Sequence, residues 1–204
     1  MVARQLAARG ISDRRVLDAF RTIPRELFIA PALADFAYDD RPLPIGKGQT
    51  ISQPYIVALM VEALCLQSTD RVLEIGTGSG YAAAILSRVA AEVFSIEWHE
   101  ELAAEARERL AELGCRNVEI RHGDGTLGWA AHAPYDGIAV AAGGREIPRA
   151  LLDQLGPGGR MLIPVGAEET SQVLLRMTRR GQDDFQRESL GDVRFVPLLG
   201  ASHQ

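Results

Sequence analysis

Residues 71–80 read Arg71-Val72-Leu73-Glu74-Ile75-Gly76-Thr77-Gly78-Ser79-Gly80. A short, mostly apolar run passes one acid, Glu74, and enters three alternating glycines. Such glycines let the main chain turn sharply and bring its N–H groups close to a bound molecule. The pattern predicts a strand over 71–75, a loop over 76–80 and a helix opening at Tyr81. Val93-Phe94-Ser95-Ile96 reads as a second strand, and it ends in another acid, Glu97. An acid about 20 residues beyond a glycine loop is where a nucleotide-binding βαβ unit contacts ribose.

The layout is that of a Rossmann half, and the glycine spacing narrows the nucleoside. A dinucleotide fingerprint, Gly-x-Gly-x-x-Gly, needs its last glycine at position 81, where Tyr81 stands; an NAD-linked dehydrogenase is therefore disfavoured. The observed Glu-x-Gly-x-Gly-x-Gly resembles the class I S-adenosylmethionine (AdoMet) methyltransferases. AdoMet has no pyrophosphate for a helix N-terminus to hold; it has a sulfonium and an ammonium, which favour a nearby carboxylate. The resemblance implies a donor site of Glu74, Gly76, Thr77, Gly78, Ser79 and Gly80, with Glu97 on the ribose hydroxyls and Trp98 beside it. Gly123-Asp124-Gly125 follows a third strand-like run, 118–121, and would sit at its C-terminal edge. Asp124 can take the adenine amino group with Gly125 alongside, although aspartate next to glycine is equally a turn residue. A fourth strand, 135–140, ends in small residues, 141–144, which leave space over a transferred methyl group.

The rest of the chain predicts an α/β fold, Rossmann-like and doubly wound. Its sheet is mostly parallel, with an antiparallel C-terminal edge and an N-terminal helical extension. We read a single domain over 1–204: a substrate-facing extension at 1–65, the core at 66–166 and C-terminal strands at 167–204. In the extension, Ser12-Asp13 caps a helix across 14–21, and Ser52 caps a second one over 53–65 with Pro54 in its first turn. The core alternates helices at 81–88, 99–113 and 148–155 with strands at 92–96, 118–122, 135–140 and 160–165. After Gly166, residues 173–178 and 193–199 read as strands joined by a polar turn around 181–184.

Bulk properties exclude several functions. The 204 residues carry a net charge of −5 and no basic stripe interleaved with aromatics, so nucleic acid is not the expected substrate. No apolar run reaches the ~20 residues of a membrane span. Met1-Val2-Ala3-Arg4-Gln5 lacks a signal-peptide core, which makes the cytoplasm the expected location. Cys65 falls on the apolar face of the second predicted helix and Cys115 in a turn; neither has metal-ligand spacing, and no disulfide or metal is expected.

The substrate signal lies ahead of the core, in Pro42-Leu43-Pro44-Ile45-Gly46-Lys47-Gly48-Gln49-Thr50-Ile51-Ser52-Gln53-Pro54. This run strongly resembles the protein-L-isoaspartate O-methyltransferases. Ile23-Pro24-Arg25-Glu26-Leu27-Phe28, Ile147-Pro148 and Phe195-Val196-Pro197-Leu198 extend the match over roughly residues 6–199. The resemblance implies methylation of the free α-carboxylate of L-isoaspartyl residues in damaged proteins. The ester then closes to a succinimide, whose hydrolysis returns some normal aspartate. A carboxylate has a pKa near ~4 and is already ionised at neutral pH, so no general base is needed. By resemblance, Ser52 holds the acceptor carboxylate, against the plainer reading of a helix cap. Thr50, Ile51, Gln53, Val196 and Pro197 are expected to face the peptide, the last two being equally readable as a strand edge. The implied protein is a monomer.

The chain also departs from the family's habit. Ala141 stands where threonine is frequent, and Gly143-Gly144-Arg145 where alanine and proline are frequent. Two other readings therefore stand beside the first: a related methyltransferase acting on another peptide carboxylate, or a non-catalytic AdoMet- or peptide-binding module.

Overall fold

The structure is a computed structural model in which residues 1–167 and 171–200 are described. Helix α1 covers Arg14–Thr22, and Asp13 caps it by accepting from the Arg15 N–H. Its apolar stripe, Val16, Leu17 and Phe20, is buried. Short 3₁₀ turns, Arg25–Phe28 and Pro31–Phe36, follow where prolines interrupt regular structure. A small hairpin comes next, β1 (Leu43–Gly46) against β2 (Gln49–Ile51), and then α2, Pro54–Ala63. The helix ends at Ala63, so Cys65 lies beyond it, exposed and at φ +52°, rather than on an apolar helical face.

The core is β3 (Arg71–Ile75), α3 (Tyr81–Leu86), β4 (Glu92–Glu97), α4 (Glu100–Glu112), β5 (Val118–His122), β6 (Tyr135–Val140), α5 (Arg149–Gln154) and β7 (Leu155–Val165). Two antiparallel strands complete it, β8 (Gln172–Arg179) and β9 (Phe185–Val193). The described residues build one seven-stranded sheet in the order β5-β4-β3-β6-β7-β8-β9. From β3 the chain moves outward through β4 to β5; from β6 it moves outward in the other direction. The order thus reverses between β3 and β6, and such a reversal opens a crevice at the C-terminal ends of those strands. The central strands β3 and β6 are buried on both faces, which explains their nearly continuous apolar runs. Alternate residues feed two cores: Val72 joins the one under α2, α3 and α4, while Leu73 and Ile75 join the one with α5.

One predicted strand is misplaced. The last strand is 185–193, not 193–199. Residues 186–188 are polar and the strand is the sheet's outer edge, exposed along much of its length, so it lacks the apolar pattern that marks a buried strand. The apolar run after it crosses the sheet's C-terminal ends instead. It is tied there by Gly143 N–H to the Val196 carbonyl and by Leu198 N–H to the Gly143 carbonyl, both 2.8 Å.

Candidate active site

At the C-terminal ends of β3, β4 and β6 lies a cavity walled by Gly76, Thr77, Gly78 and Ser79, by Glu97, Trp98 and His99, and by Gly125 and Ala141. The hairpin closes it from above through Gln49, Thr50 and Ile51, and the C-terminal crossing closes it through Val196, Pro197, Leu198 and Leu199. Gly78 sits at φ +53°, and a Cβ there would come within 3.1 Å of Ile45 Cδ1 on the hairpin. The loop is therefore a glycine loop for two reasons, conformation and the approach of a second segment.

Glu97 holds this loop. One carboxylate oxygen accepts from the Gly78 N–H at 2.8 Å and the other from the His99 N–H at 2.9 Å. A carboxylate offers about four lone-pair sites, which leaves capacity on both oxygens for hydroxyl groups in the cavity. The sequence pointed to Glu97 as a ligand contact; its main-chain bond to Gly78, which shapes the loop itself, was not legible there.

Glu74 is not on the cavity wall. It is 1% exposed and stands on the sheet face of Val72, where its register partner on β4 is Ser95. Ser95 Oγ donates to Glu74 Oε2 at 2.5 Å, and Thr77 Oγ1 lies 2.5 Å from Ser95 Oγ. A hydroxyl chain thus runs from the buried acid to a residue that does line the cavity. Burial pushes the Glu74 carboxyl up to about 8; the Ser95 hydrogen bond opposes that shift and the charge of Glu97 adds to it. Glu74 Oε1 has no hydrogen-bond partner among the described residues.

Two other expected donor contacts are also set back. Asp124 Oδ1 accepts from the Thr126 N–H at 2.8 Å and from Thr126 Oγ1 at 2.6 Å, the turn role that competed for it. Gly125, its neighbour, is the residue on the wall. Gly80 lies behind the wall as the residue before α3, at φ +91° and against Ala106 of α4.

Ser52 does not cap α2. The cap position is Gln53, and no side chain bonds there locally. The Tyr55 N–H is taken by Asp40 Oδ1 at 3.2 Å, a cap delivered from fifteen residues away; Asp40 Oδ2 also accepts from Gln53 Nε2 at 2.7 Å and pairs with Arg9 at 2.5 Å. Ser52 is thereby released for another task. It is half-buried, and its position is specific: a second cavity opens beside the first, and Thr50, Ser52, Ala141 and Val196 line both. The second cavity continues past Gln53 and Ile56 to Asp192, Val193 and Arg194. Ile51 and Pro197, expected to face a peptide, lie on the first cavity only.

The glycines at 143–144 have a structural reason. A Cβ at Gly143 would fall 2.4 Å from Gln172 Nε2. Gln172 is buried and grips the Phe195 main chain from both sides, accepting from its N–H at 2.8 Å and donating to its carbonyl at 3.2 Å. Gly143 makes room for the clasp that holds the C-terminal crossing in place.

Known proteins resemble this chain closely. The family model described as protein-L-isoaspartate(D-aspartate) O-methyltransferase matches residues 1–203. Protein-L-isoaspartate O-methyltransferase 2 of Pelobacter propionicus is 59% identical over 201 residues, 98% of this chain and 89% of that one. The protein-L-isoaspartate O-methyltransferase of Rhodopseudomonas palustris is 58% identical over 201 residues, 98% of this chain and 92% of that one. Among solved structures, one protein-L-isoaspartate O-methyltransferase superposes with a TM-score of 0.86 at 32% identity, covering 98% of this chain and 66% of that one. A Plasmodium falciparum protein assigned to the same activity, solved in complex with S-adenosyl-L-homocysteine, superposes at 0.84 with 26% identity, covering 97% of this chain and 96% of that one.

Proposed function

We propose a function from one premise, that the chain belongs to the protein-L-isoaspartate(D-aspartate) O-methyltransferase family. It is an AdoMet-dependent methyltransferase, and its acceptor is the free α-carboxylate of L-isoaspartyl residues in damaged proteins. One observation carries the assignment of roles: Ser52 stands where the two cavities meet.

The first cavity suits the donor. The glycine loop at 76–79, held open by Glu97, and the lone pairs that Glu97 keeps free offer a cradle for a ribosyl group, and Ile75, Ile96 and Leu198 offer apolar surface for a base. Glu74 stands behind the cradle, connected through Ser95 and Thr77 rather than by contact; with burial pushing its carboxyl up to about 8, it braces the loop as a neutral acid rather than offering a charge. In this reading Gly76, Thr77, Gly78, Ser79, Glu97, Trp98 and Gly125 hold AdoMet, which supplies an electrophilic methyl group when bound.

The second cavity receives the peptide, with Thr50, Gln53 and Val196 along it. The Ser52 hydroxyl donates to one oxygen of the acceptor carboxylate and turns the other toward the junction. Ala141 keeps that junction narrow but open; its N–H is fixed to the Ile75 carbonyl at 2.8 Å, beside Gly76. The carboxylate arrives ionised, so no side chain has to take a proton. Rate comes from alignment, and from the water-poor walls supplied by Ile51 and Val196.

The test is methyl transfer from labelled AdoMet to a synthetic isoaspartyl peptide beside its aspartyl twin. Label on the isoaspartyl peptide alone supports the reading; equal label on both assigns the chain to another carboxylate, and none on either leaves a binding module. The reading extends to a monomer, since one chain supplies both cavities. Light scattering on the purified protein tests the monomer; a dimer mass would remove it. No described helix is long and apolar enough to cross a membrane.

A further inference from the structure

Arg25 is the largest fully buried side chain of the described residues, at 0% exposure, and it forms no ion pair among them. A buried guanidinium without a carboxylate against it is expensive, because water is lost and no charge replaces it. Burial lowers its pKa below the usual arginine value, opposed by the nearby Tyr81, Asp40 and Tyr38. A leucine in that space would avoid the penalty, so the hydrogen bonds it makes deserve an explanation. Nε donates to the Ala37 carbonyl and Nη2 to the Ser52 carbonyl, both at 2.8 Å. The guanidinium carbon lies 4.9 Å from the centroid of the Tyr81 ring. Tyr81 is the first residue of α3, lines the donor cavity, and is wedged edge-on against Phe20 and Phe28. One rigid fork therefore touches the extension, the acceptor segment and the donor helix.

The residues after Ser52 are held separately, by Asp40 on Gln53 and Tyr55. Arg25 grips the Ser52 peptide itself. Lysine cannot reproduce this: its ammonium is a single point, whereas the guanidinium presents two donors in a fixed plane to carbonyls on two segments.

We propose that Arg25 is a positioning residue for methyl transfer: by anchoring the Ser52 carbonyl against Tyr81, it sets the main-chain orientation that aims the Ser52 hydroxyl into the junction of the two cavities. The proposal rests on Ser52 acting on the acceptor carboxylate. It predicts that Arg25 matters to catalysis only while that hydroxyl is present.

The experiment is a double-mutant cycle on the full chain with Arg25→Lys, Ser52→Ala and the pair, read as kcat/KM for an isoaspartyl peptide, with AdoMet affinity by calorimetry. Arg25→Lys should lower kcat/KM about 10-fold or more and move AdoMet affinity less than about 2-fold; on the Ser52→Ala background the same change should cost less than about 2-fold. Equal losses on both backgrounds, a loss carried by AdoMet affinity, or an unaffected Arg25→Lys enzyme would each overturn the proposal. Should Arg25→Lys not fold, Arg25→Ala supplemented with methylguanidinium takes its place; turnover restored when Ser52 is present and not when it is alanine supports the proposal, and equal restoration overturns it. An unimpaired Ser52→Ala enzyme removes the Ser52 reading and this proposal together, whereas an impaired one with additive losses removes only the role of Arg25.

Discussion

The two cavities, proposed above as donor half and acceptor half, are built by different means. The donor wall is largely local: β3, its glycine loop, the start of α3 and the end of β4 follow one another directly. Its internal ties are mostly main chain, such as Gly76 N–H to the Ile96 carbonyl at 2.8 Å. The acceptor half joins residues 42–56 to residues 192–196, and long-range side chains hold it: Arg25 on Ser52, Asp40 on Tyr55, Gln172 on Phe195. A parallel sheet with a reversal point provides a nucleoside site almost by itself. The second cavity has to be added, and here it is held by polar side chains, Arg25 and Gln172 buried and Asp40 partly so, each reaching across a gap in sequence.

That contrast can be broken most severely at Gly78. Gly78→Val places a branched side chain at φ +53° against Ile45, and AdoMet affinity by calorimetry should fall at least about 100-fold. Near-normal affinity would mean that the loop is not the cradle. On the acceptor side, Ser52→Ala removes a hydrogen bond to a charged group, worth about 1.5–3 kcal/mol. Turnover of an isoaspartyl peptide should drop roughly 10- to 100-fold with AdoMet affinity nearly unchanged; a fall in both together would erase the division into halves. Glu97→Ala should weaken AdoMet by about 10-fold, near 1.4 kcal/mol, and leave the peptide KM alone. A peptide effect as large as the AdoMet effect would show that the loop serves both sides.

The last test concerns stability. Glu74 titrates higher in the folded chain, at about 8, than its ordinary 4.5. Below about 4.5 the group is protonated in folded and unfolded chains alike, so its full contribution is present there. Between about 4.5 and 8 the unfolded chain ionises while the folded one stays neutral, and stability is lost as pH rises. Glu74→Gln should therefore gain a few degrees of Tm over wild type at pH 8 and little at pH 5. A pH-independent difference would show that the buried acid is not what the folded donor half tolerates.

These two halves differ in the same way in how far the sequence reveals them. The glycine spacing, Glu97 and the strand–helix alternation are written in adjacent residues, so the core could be read from periodicity and turn chemistry. Glu74 was read as a contact because it sits in the motif; strand parity turns it to the opposite side of the wall, beside Ser95. Ser52, two residues ahead of Pro54, read locally as a cap and only by resemblance as a substrate residue, and only the folded chain brings Asp40 to do the capping. Gln172 gave no signal, and Arg25 only its place in a run that matches the family, with no hint of its role. A single arginine or glutamine in a short turn or strand reads as surface, and nothing local announces that it will be buried against a distant carbonyl. The apolar run at 195–198 did announce burial, but as a crossing over the site rather than as a strand.

The crossing has a temporal consequence. Translation delivers the glycine loop and Glu97 long before Phe195, and folding on the ribosome proceeds from the N-terminal side. Until residues 194–200 emerge and dock on Gly143, the donor pocket lacks a wall and the peptide groove lacks a lip. Both cavities are thus completed together, when residues 194–198 cross the top of the sheet.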